Sequence, residues 1–463
     1  MNVILLSLDT LRAQSMSCYG HSNLTTPYLD EVAASVTLFE TCISPHIPTH
    51  PAHTSLFTGK DVLSHQIITQ GGKQELAADV PMLAELLGAR GYFTAAADNL
   101  GRWFSRGFDM YEGYSWDMQY KGARKAEAVN ETAFRLLDAA RGQDKPFFAF
   151  LHYWDPHTPY LPPEPWERMF YTGDECDPTN DSMEAVYACE PFKWYFQNWM
   201  YRPDADDPDD KTKGKLWTDR SYVNALYDAE IAYMDHSLQQ LWHYLAHHDL
   251  VEDTLVVILG DHGEELDEHE LWYDHHGLYE TNIWVPLIFH HPYAVPELQR
   301  LSGMVTLADV APTILDFCGL RDVAQENAMD GASLRDLIDH GSHAGARDGV
   351  YLTENAWMRK RGWRTPRWKL IVETGHTPEV YGRSDDELYD LVTDPGEQDN
   401  VIETHPDVAE GLRADMQAHL STRLSETGLP DPTEEQDITL RHIGSLETAV
   451  PKDQVFGADE DDA

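Results

Sequence analysis

Basic residues are scarce in this chain: 34 lysines and arginines stand against 79 aspartates and glutamates, a formal net charge of −45 over 463 residues. A charge so negative repels phosphate backbones and anionic bilayers, so neither nucleic acid nor membrane is an expected partner. Cysteine is scarce as well. Cys18, Cys42, Cys176, Cys189 and Cys318 show no paired metal spacing, and an odd number of thiols does not suggest a disulfide framework. Long apolar runs are missing. The stretch Asn2 to Leu8 is apolar but short, lacks a basic start and runs directly into Asp9, so it reads as a buried strand rather than a signal or a span. A cytoplasmic protein is the expectation.

The acidic excess is spread along the chain, and an aromatic content of 11% argues against disorder. The composition resembles that of proteins from salt-loving organisms, whose acidic surfaces stay hydrated at high salt. A chain of this length can bury a large core, with one large domain and a smaller one as the natural division. Uninterrupted apolar runs recur at 2–8, 92–97, 147–154, 254–259 and 284–289. Helical patterns lie between them, at 82–90 and along Tyr222 to His247. Such alternation predicts an α/β fold, a mostly parallel sheet covered by helices on both faces.

The segment Thr49-His50-Pro51-Ala52-His53-Thr54-Ser55-Leu56-Phe57-Thr58-Gly59 reads as a short helix, with Thr49 as N-cap, Pro51 in the first turn and Gly59 as the stop. A hydroxyl at a helix N-terminus sits where unpaired N–H groups and the positive dipole end favour an anion. His53, four residues on, shares its face. Polar residues also follow the strands: Asp9, then Asp98-Asn99, then Asp155-Pro156-His157, then Asp261-His262-Gly263. Ligands of open α/β sheets bind beyond the carboxyl ends of the strands, so carboxylates and imidazoles gathered there point to a metal and anion site.

The spacing of Thr49, Pro51, Leu56, Thr58 and Gly59 resembles the signature of the sulfatase family, within the alkaline phosphatase superfamily. That signature has Cys or Ser where this chain has Thr49, and Arg where it has His53. Family members convert the Cys or Ser to formylglycine, an aldehyde that threonine cannot supply. The resemblance implies an alkaline phosphatase-like fold and further assignments. Asp9 matches the first of the family's N-terminal aspartates, with Thr10 in place of the second, and Asp261 and His262 match the second pair of metal ligands. His157 matches a histidine that contacts the ester, Asn99 stands near a substrate-binding Lys, and His276 stands where others place a Lys or His before Gly.

Asp9, Asp261, His262 and the Thr49 oxygen thus form a candidate site for a divalent cation. Oxygen ligands suit Ca²⁺ or Mg²⁺, and the imidazole admits Mn²⁺ or Zn²⁺. His53, His157 and His276 are expected to donate hydrogen bonds to the ester, with a second metal held by them and Asp155 as the alternative. The expected reaction is attack by Thr49 on a small-molecule or carbohydrate sulfate or phosphate ester, with His53 stabilising charge and His157 or His276 protonating the leaving oxygen. A phosphomonoesterase, phosphodiesterase or phosphonate-ester hydrolase is the alternative enzyme. A non-catalytic binder of the same ligands is the reading from another class, favoured by the departures at Thr10 and His53 and opposed by the full set of metal-ligand types.

The domain reading places a catalytic domain at 1–336, interrupted by an acidic, aromatic insertion at about 171–217 whose Trp194, Tyr195 and Trp199 could wall the cleft. A small antiparallel sheet plus helix follows at 349–430, with Pro406 to Leu420 helical, and then an acidic, partly disordered tail at 431–463. The run Glu264 to His276 is acid-rich and reads in part as solvated surface.

Overall fold

The computed structural model describes residues 1–71, 73–114, 126–189, 193, 196, 216–297, 299–341, 347–375 and 385–436. Trp194, Tyr195, Trp199, the acidic run 204–210 and the tail beyond 436 lie outside the described residues. The apolar runs form strands as expected, because their side chains are buried on both faces and satisfy period-two packing on either side of a sheet. In chain order the strands are β1 (Asn2–Leu8), β2 (Thr37–Ile43), β3 (His46–Ile47), β4 (Phe93–Ala97), β5 (Met110–Glu112), β6 (Phe147–Tyr153) and β7 (Thr254–Gly260). Then come β8 (Trp284–His290), β9 (Gln299–Thr306), β10 (Val350–Glu354), β11 (Lys360–Arg364), β12 (Trp368–Glu373) and β13 (Glu387–Asp390).

Eight of these form one sheet in the order β5-β4-β6-β1-β7-β8-β2-β9. The pairs from β5 to β7 are parallel, as is β2 with β9, whereas β8 runs antiparallel to both β7 and β2. An apolar run such as Trp284–Phe289 carries no mark of its direction, so this reversal was not legible locally. Helices α1 (Thr49–Thr58), α2 (Ala126–Arg141), α3 (Arg220–His247) and α4 (Val310–Phe317) belong to this α/β body. Helix α2 packs on β4 and β6 and against α3, and α1 packs against α4. Among the described residues, no helix is long and apolar enough to cross a membrane.

The second sheet has five strands, β13-β12-β11-β10-β3, antiparallel except that β10 pairs parallel with β3. The sequence places this small sheet wholly in the C-terminal part of the chain. The structure adds His46–Ile47, two residues before Thr49, as its edge strand, so the smaller sheet abuts the approach to α1. Helix α5 (Pro406–Thr427) packs on β11 and β12, where Leu412, Met416 and Leu420 meet Leu370 and Leu388 in a separate apolar cluster.

A buried ion network ties the small sheet to the segment that leads into β8. Glu280 receives Arg364 at 2.9 Å and Lys369 at 3.2 Å, and Lys369 also reaches Glu397 at 2.5 Å. Removing one partner strands a buried cation, which costs about 3–5 kcal/mol. Glu280→Ala is therefore expected to lower the stability by that amount in denaturant unfolding. Burial raises the Glu280 pKa, yet Arg364 and Lys369 outweigh it and hold the carboxyl at about 2. A depressed acid stabilises the fold above its ordinary pKa near 4.5 and loses that contribution as pH falls toward 2. Glu397, pushed up to about 7 chiefly by burial, works the other way between pH 7 and 4.5. The loss assigned to Glu280 is thus read below pH 4.5, and Glu280→Gln should flatten the melting temperature there. An unchanged acid limb in that variant would refute the assignment.

Candidate active site

Parallel register builds the centre of the site. Leu8 of β1 pairs with Gly260 of β7 on one side and Tyr153 of β6 on the other, so the residues that follow emerge level with one another. Asp9 thereby comes beside Asp261 and His262. Thr49 joins them from the first turn of α1. Its position differs from the expected N-cap: Pro48 occupies the cap, with its carbonyl accepting from Ala52 N at 3.2 Å, and Thr49 is the first helical residue. The Thr49 hydroxyl is thereby turned to the strand ends, where it donates to His262 Nε2 at 3.1 Å. At the other end Gly59 holds the left-handed conformation that stops the helix, as expected (φ 64°).

His262 Nδ1 donates to the Gly263 carbonyl at 2.9 Å, which leaves Nε2 as the lone-pair nitrogen. That nitrogen faces Asp261 Oδ2 at 3.4 Å and Asp9 Oδ1 at 3.7 Å. All three residues are fully buried, and Asp9 Oδ1, Asp9 Oδ2 and Asp261 Oδ2 have no well-formed hydrogen bond. Gly263 makes this crowding possible, because a Cβ there would stand 1.9 Å from the Thr281 carbonyl oxygen. The converging oxygens Asp9 Oδ1 and Asp261 Oδ2 and the imidazole lone pair suit a cation among them, since His152, placed between Asp9 and Asp98, balances one charge at most. Burial and the Asp9 charge together push the Asp261 pKa up. For Asp9 burial acts in the same sense, but His152 and the other nearby imidazoles outweigh it and hold the carboxyl well below its usual range.

His53 sits inside the same group but in a different role from the expected one. Its Nδ1 donates to the Thr49 carbonyl at 3.0 Å, its Nε2 accepts from Ser7 Oγ at 2.9 Å, and its ring is wholly buried. Burial lowers its pKa despite Asp261 at 3.5 Å. With both nitrogens engaged, the ring ties α1 to β1.

Asn99 is likewise committed elsewhere. Its Nδ2 donates to the Tyr114 carbonyl at 3.2 Å and its Oδ1 accepts from Tyr114 N at 3.1 Å, so it pins a loop rather than offering its amide to a ligand. His276 is buried between Asp274 Oδ2, at 2.8 Å from its Nε2, and the Trp357 ring, at 4.5 Å. Its neighbour His275 is the residue that approaches the site, with its ring 4.9 Å from His262 and 5.1 Å from His157. His157 lies at the rim, its Nδ1 donating to the Thr158 carbonyl at 2.6 Å.

Two groups escaped the sequence reading. His152 stands in β6 between Asp98, at 2.8 Å, and Asp9, at 3.3 Å. Burial opposes its charge, but the two carboxylates prevail and raise its pKa to about 10. A histidine inside an otherwise apolar strand was the available signal. The second group is Glu264, Asp274 and His275, within the run read partly as solvated surface. Glu264 and His276 are in fact buried.

The comparisons define the class first: a hydrolase of the alkaline phosphatase superfamily, acting on ester bonds. The family model described as Sulfatase matches residues 1–320, and a model of the C-terminal part of N-sulphoglucosamine sulphohydrolase matches residues 267–427. The chain belongs to the sulfatase family. It is 26% identical to N-acetylglucosamine-6-O-sulfatase of Bacteroides thetaiotaomicron and 24% identical to choline-sulfatase of Rhizobium meliloti, each over 87% of this chain and 82% of the relative. A protein solved with its substrate D-glucosamine-2-N,6-O-disulfate shares the fold at a TM-score of 0.74 and 20% identity, covering 94% of this chain and 99% of that one. Phosphonate monoester hydrolase of Agrobacterium radiobacter does so at a TM-score of 0.70 and 21% identity, over 91% and 96%. Members of this superfamily use divalent metal ions, and Asp9, Asp261 and His262 fit one: their ligand atoms lie within 4.8 Å of one another.

Proposed function

We propose that this chain hydrolyses sulfate or phosphate esters through Thr49. The observation that carries the reading is the Thr49 hydroxyl at the N-terminus of α1, 3.1 Å from His262 Nε2, a nitrogen that also lies 3.4 Å from Asp261 Oδ2 and 3.7 Å from Asp9 Oδ1. Asp9, Asp261 and His262 would hold a divalent ion, which would supply Lewis acidity beside the Thr49 hydroxyl. Thr49 Oγ bonds to the phosphorus or sulfur as the ester bond to the leaving oxygen breaks. The Thr49 proton passes to water, and His157 gives a proton to the leaving oxygen. In the first turn of α1 His50 N donates to Gln70 Oε1, Ala52 N donates to the Pro48 carbonyl and Pro51 carries no N–H, so it is the positive end of the helix dipole that favours the anion. Water then cleaves the Thr49 adduct, restoring the hydroxyl and releasing the inorganic anion. His157 takes the acid role in preference to His276, whose ring is enclosed by Asp274 and Trp357.

The substrate is a small-molecule or carbohydrate ester, a reading supported by the relatives that act on N-acetylglucosamine 6-sulfate and choline sulfate. The phosphoester version has its own support in Thr49, which cannot become formylglycine. A threonine sulfate must be released by water attacking sulfur, whereas a threonine phosphate is open to in-line attack at phosphorus. Phosphate mono- or diesters are accordingly expected to turn over at least as fast as sulfate esters. Aryl sulfate, aryl phosphate and aryl phosphodiester assayed side by side with divalent metal, at low and high salt, test this. Turnover of the sulfate alone would refute the phosphoester reading, and turnover of none would refute the enzyme.

A further inference from the structure

Downstream of Gly263 the chain folds back on itself. Glu265 N donates to the Asp274 carbonyl at 2.7 Å and Asp274 N to the Glu265 carbonyl at 3.2 Å, an isolated antiparallel bridge. The bridge brings Glu264 opposite His275. His275 Nδ1 stands 3.5 Å from Glu264 Oε1 and 3.3 Å from Asp274 Oδ1. Two ligands that are each about 2.1 Å from a tetrahedral ion stand roughly 3.4 Å apart, so these separations are those of a coordination sphere. The three ligand atoms lie within 4.8 Å of one another, as in the Asp9, Asp261 and His262 group.

The surroundings call for a cation. Glu264 is fully buried, and both its oxygens are sealed from solvent without a well-formed hydrogen bond, with Tyr160 the neutral group beside them. The Arg12 charge acts on Glu264 but is committed to Glu268 at 2.6 Å, and among the described residues no lysine or arginine forms an ion pair with Glu264 or Asp274. A buried carboxylate in that state is too costly to keep unless something positive meets it. Asp274 is steadied from behind: His276 Nε2 contacts its Oδ2 at 2.8 Å, and His275 N donates to its Oδ1 at 2.9 Å. Ligating carboxylates are commonly oriented by hydrogen bonds of this kind from outside the coordination sphere. The group adjoins the first one through His275, whose ring lies 4.9 Å from that of His262.

We propose that Glu264, Asp274 and His275 form a second divalent-cation site, separate from Asp9, Asp261 and His262, so that the centre holds two ions. The proposal rests on reading the first group as a cation site. Two carboxylates and one imidazole suit Mn²⁺ or Zn²⁺ better than Ca²⁺. In two-metal hydrolases the pair of ions clamps the entering and leaving oxygens, and here the second site lies on the side of His157, the residue assigned to the leaving oxygen.

The test counts Mn²⁺ bound to metal-stripped, full-length protein by equilibrium dialysis with elemental analysis, alongside low-temperature electron paramagnetic resonance. Wild type should bind two ions per chain with a spin-coupled spectrum. Glu264→Gln/His275→Ala should bind one, uncoupled, and Asp9→Asn/Asp261→Asn should lose the other. If wild type binds one ion, lost in Asp9→Asn/Asp261→Asn and kept in Glu264→Gln/His275→Ala, the second site is refuted while the first stands. If wild type binds none, both fail. If the double variant does not fold, the near-isosteric Glu264→Gln alone decides: at least a tenfold weaker second binding step supports the site, and an unchanged one overturns it.

Discussion

Thr49→Ala is expected to reduce turnover by a factor on the order of 10⁴ or more while leaving metal content unchanged. Removing a nucleophile abolishes the covalent route, and what remains is the modest contribution of binding and charge stabilisation. The metal should stay because Asp9, Asp261 and His262 are buried and held by elements other than α1: Asp9 and Asp261 follow adjacent strands, and His262 is fixed by its own bond to the Gly263 carbonyl. The fold should persist too, since Thr49 makes no capping bond and alanine is well tolerated at the first position of a helix. Rapid quenching of the wild-type reaction should trap an adduct on the peptide carrying Thr49, read by mass spectrometry. An adduct on another residue, or unaltered turnover in Thr49→Ala, would end this mechanism.

The second large effect falls on the first cation site. Asp261→Asn keeps the shape of the side chain but removes its charge, and it should lose both the ion of that site and activity, the latter by a factor on the order of 10³ or more. The variant should nevertheless be at least as stable as metal-stripped wild type. Without an ion, Asp261 is a buried carboxylate beside Asp9 whose Oδ2 lacks a hydrogen-bond partner, and burial together with the Asp9 charge raises its pKa. Its Oδ1, which accepts from Thr10 N at 3.2 Å and His262 N at 2.8 Å, is reproduced by the amide oxygen of asparagine. Thermal melts with and without added Mn²⁺ separate the two contributions. Metal should raise the wild-type melting temperature more than that of Asp261→Asn, and equal rises would show that the ion binds elsewhere.

Several features were open to reading from residues alone because their causes are local. Apolar runs without alternation become strands buried on both faces wherever they occur, and β1, β4, β6, β7 and β8 follow from that. Pro51 and Gly59 bracket a helix by their own backbone preferences. An acid directly after a parallel strand must emerge at the carboxyl edge, so Asp9 and Asp261 were placed before any tertiary contact was known.

The histidines were not decided in that way. A histidine can donate, accept, ligate or carry charge, and its neighbours in space choose among these. His53 shares a helix face with Thr49 as spacing requires, yet Ser7 and the Thr49 carbonyl take both its nitrogens. His275 and His276 are adjacent in the chain, and only the fold-back at Glu265 and Asp274 turns one to His262 and the other to Trp357. Glu264 is an acid in an acid-rich run, which in isolation reads as surface, but that fold-back and the close approach of Gly263 to Thr281 bury it. His46–Ile47 is too short to show a period, and becomes a strand only because β10 offers an open edge. The sequence by itself determined the layers of the fold and the edge at which its acids gather, since backbone preference and apolar periodicity act over a few residues. The tertiary structure alone decided which imidazole faces which carboxylate, because that depends on contacts between groups far apart in the chain.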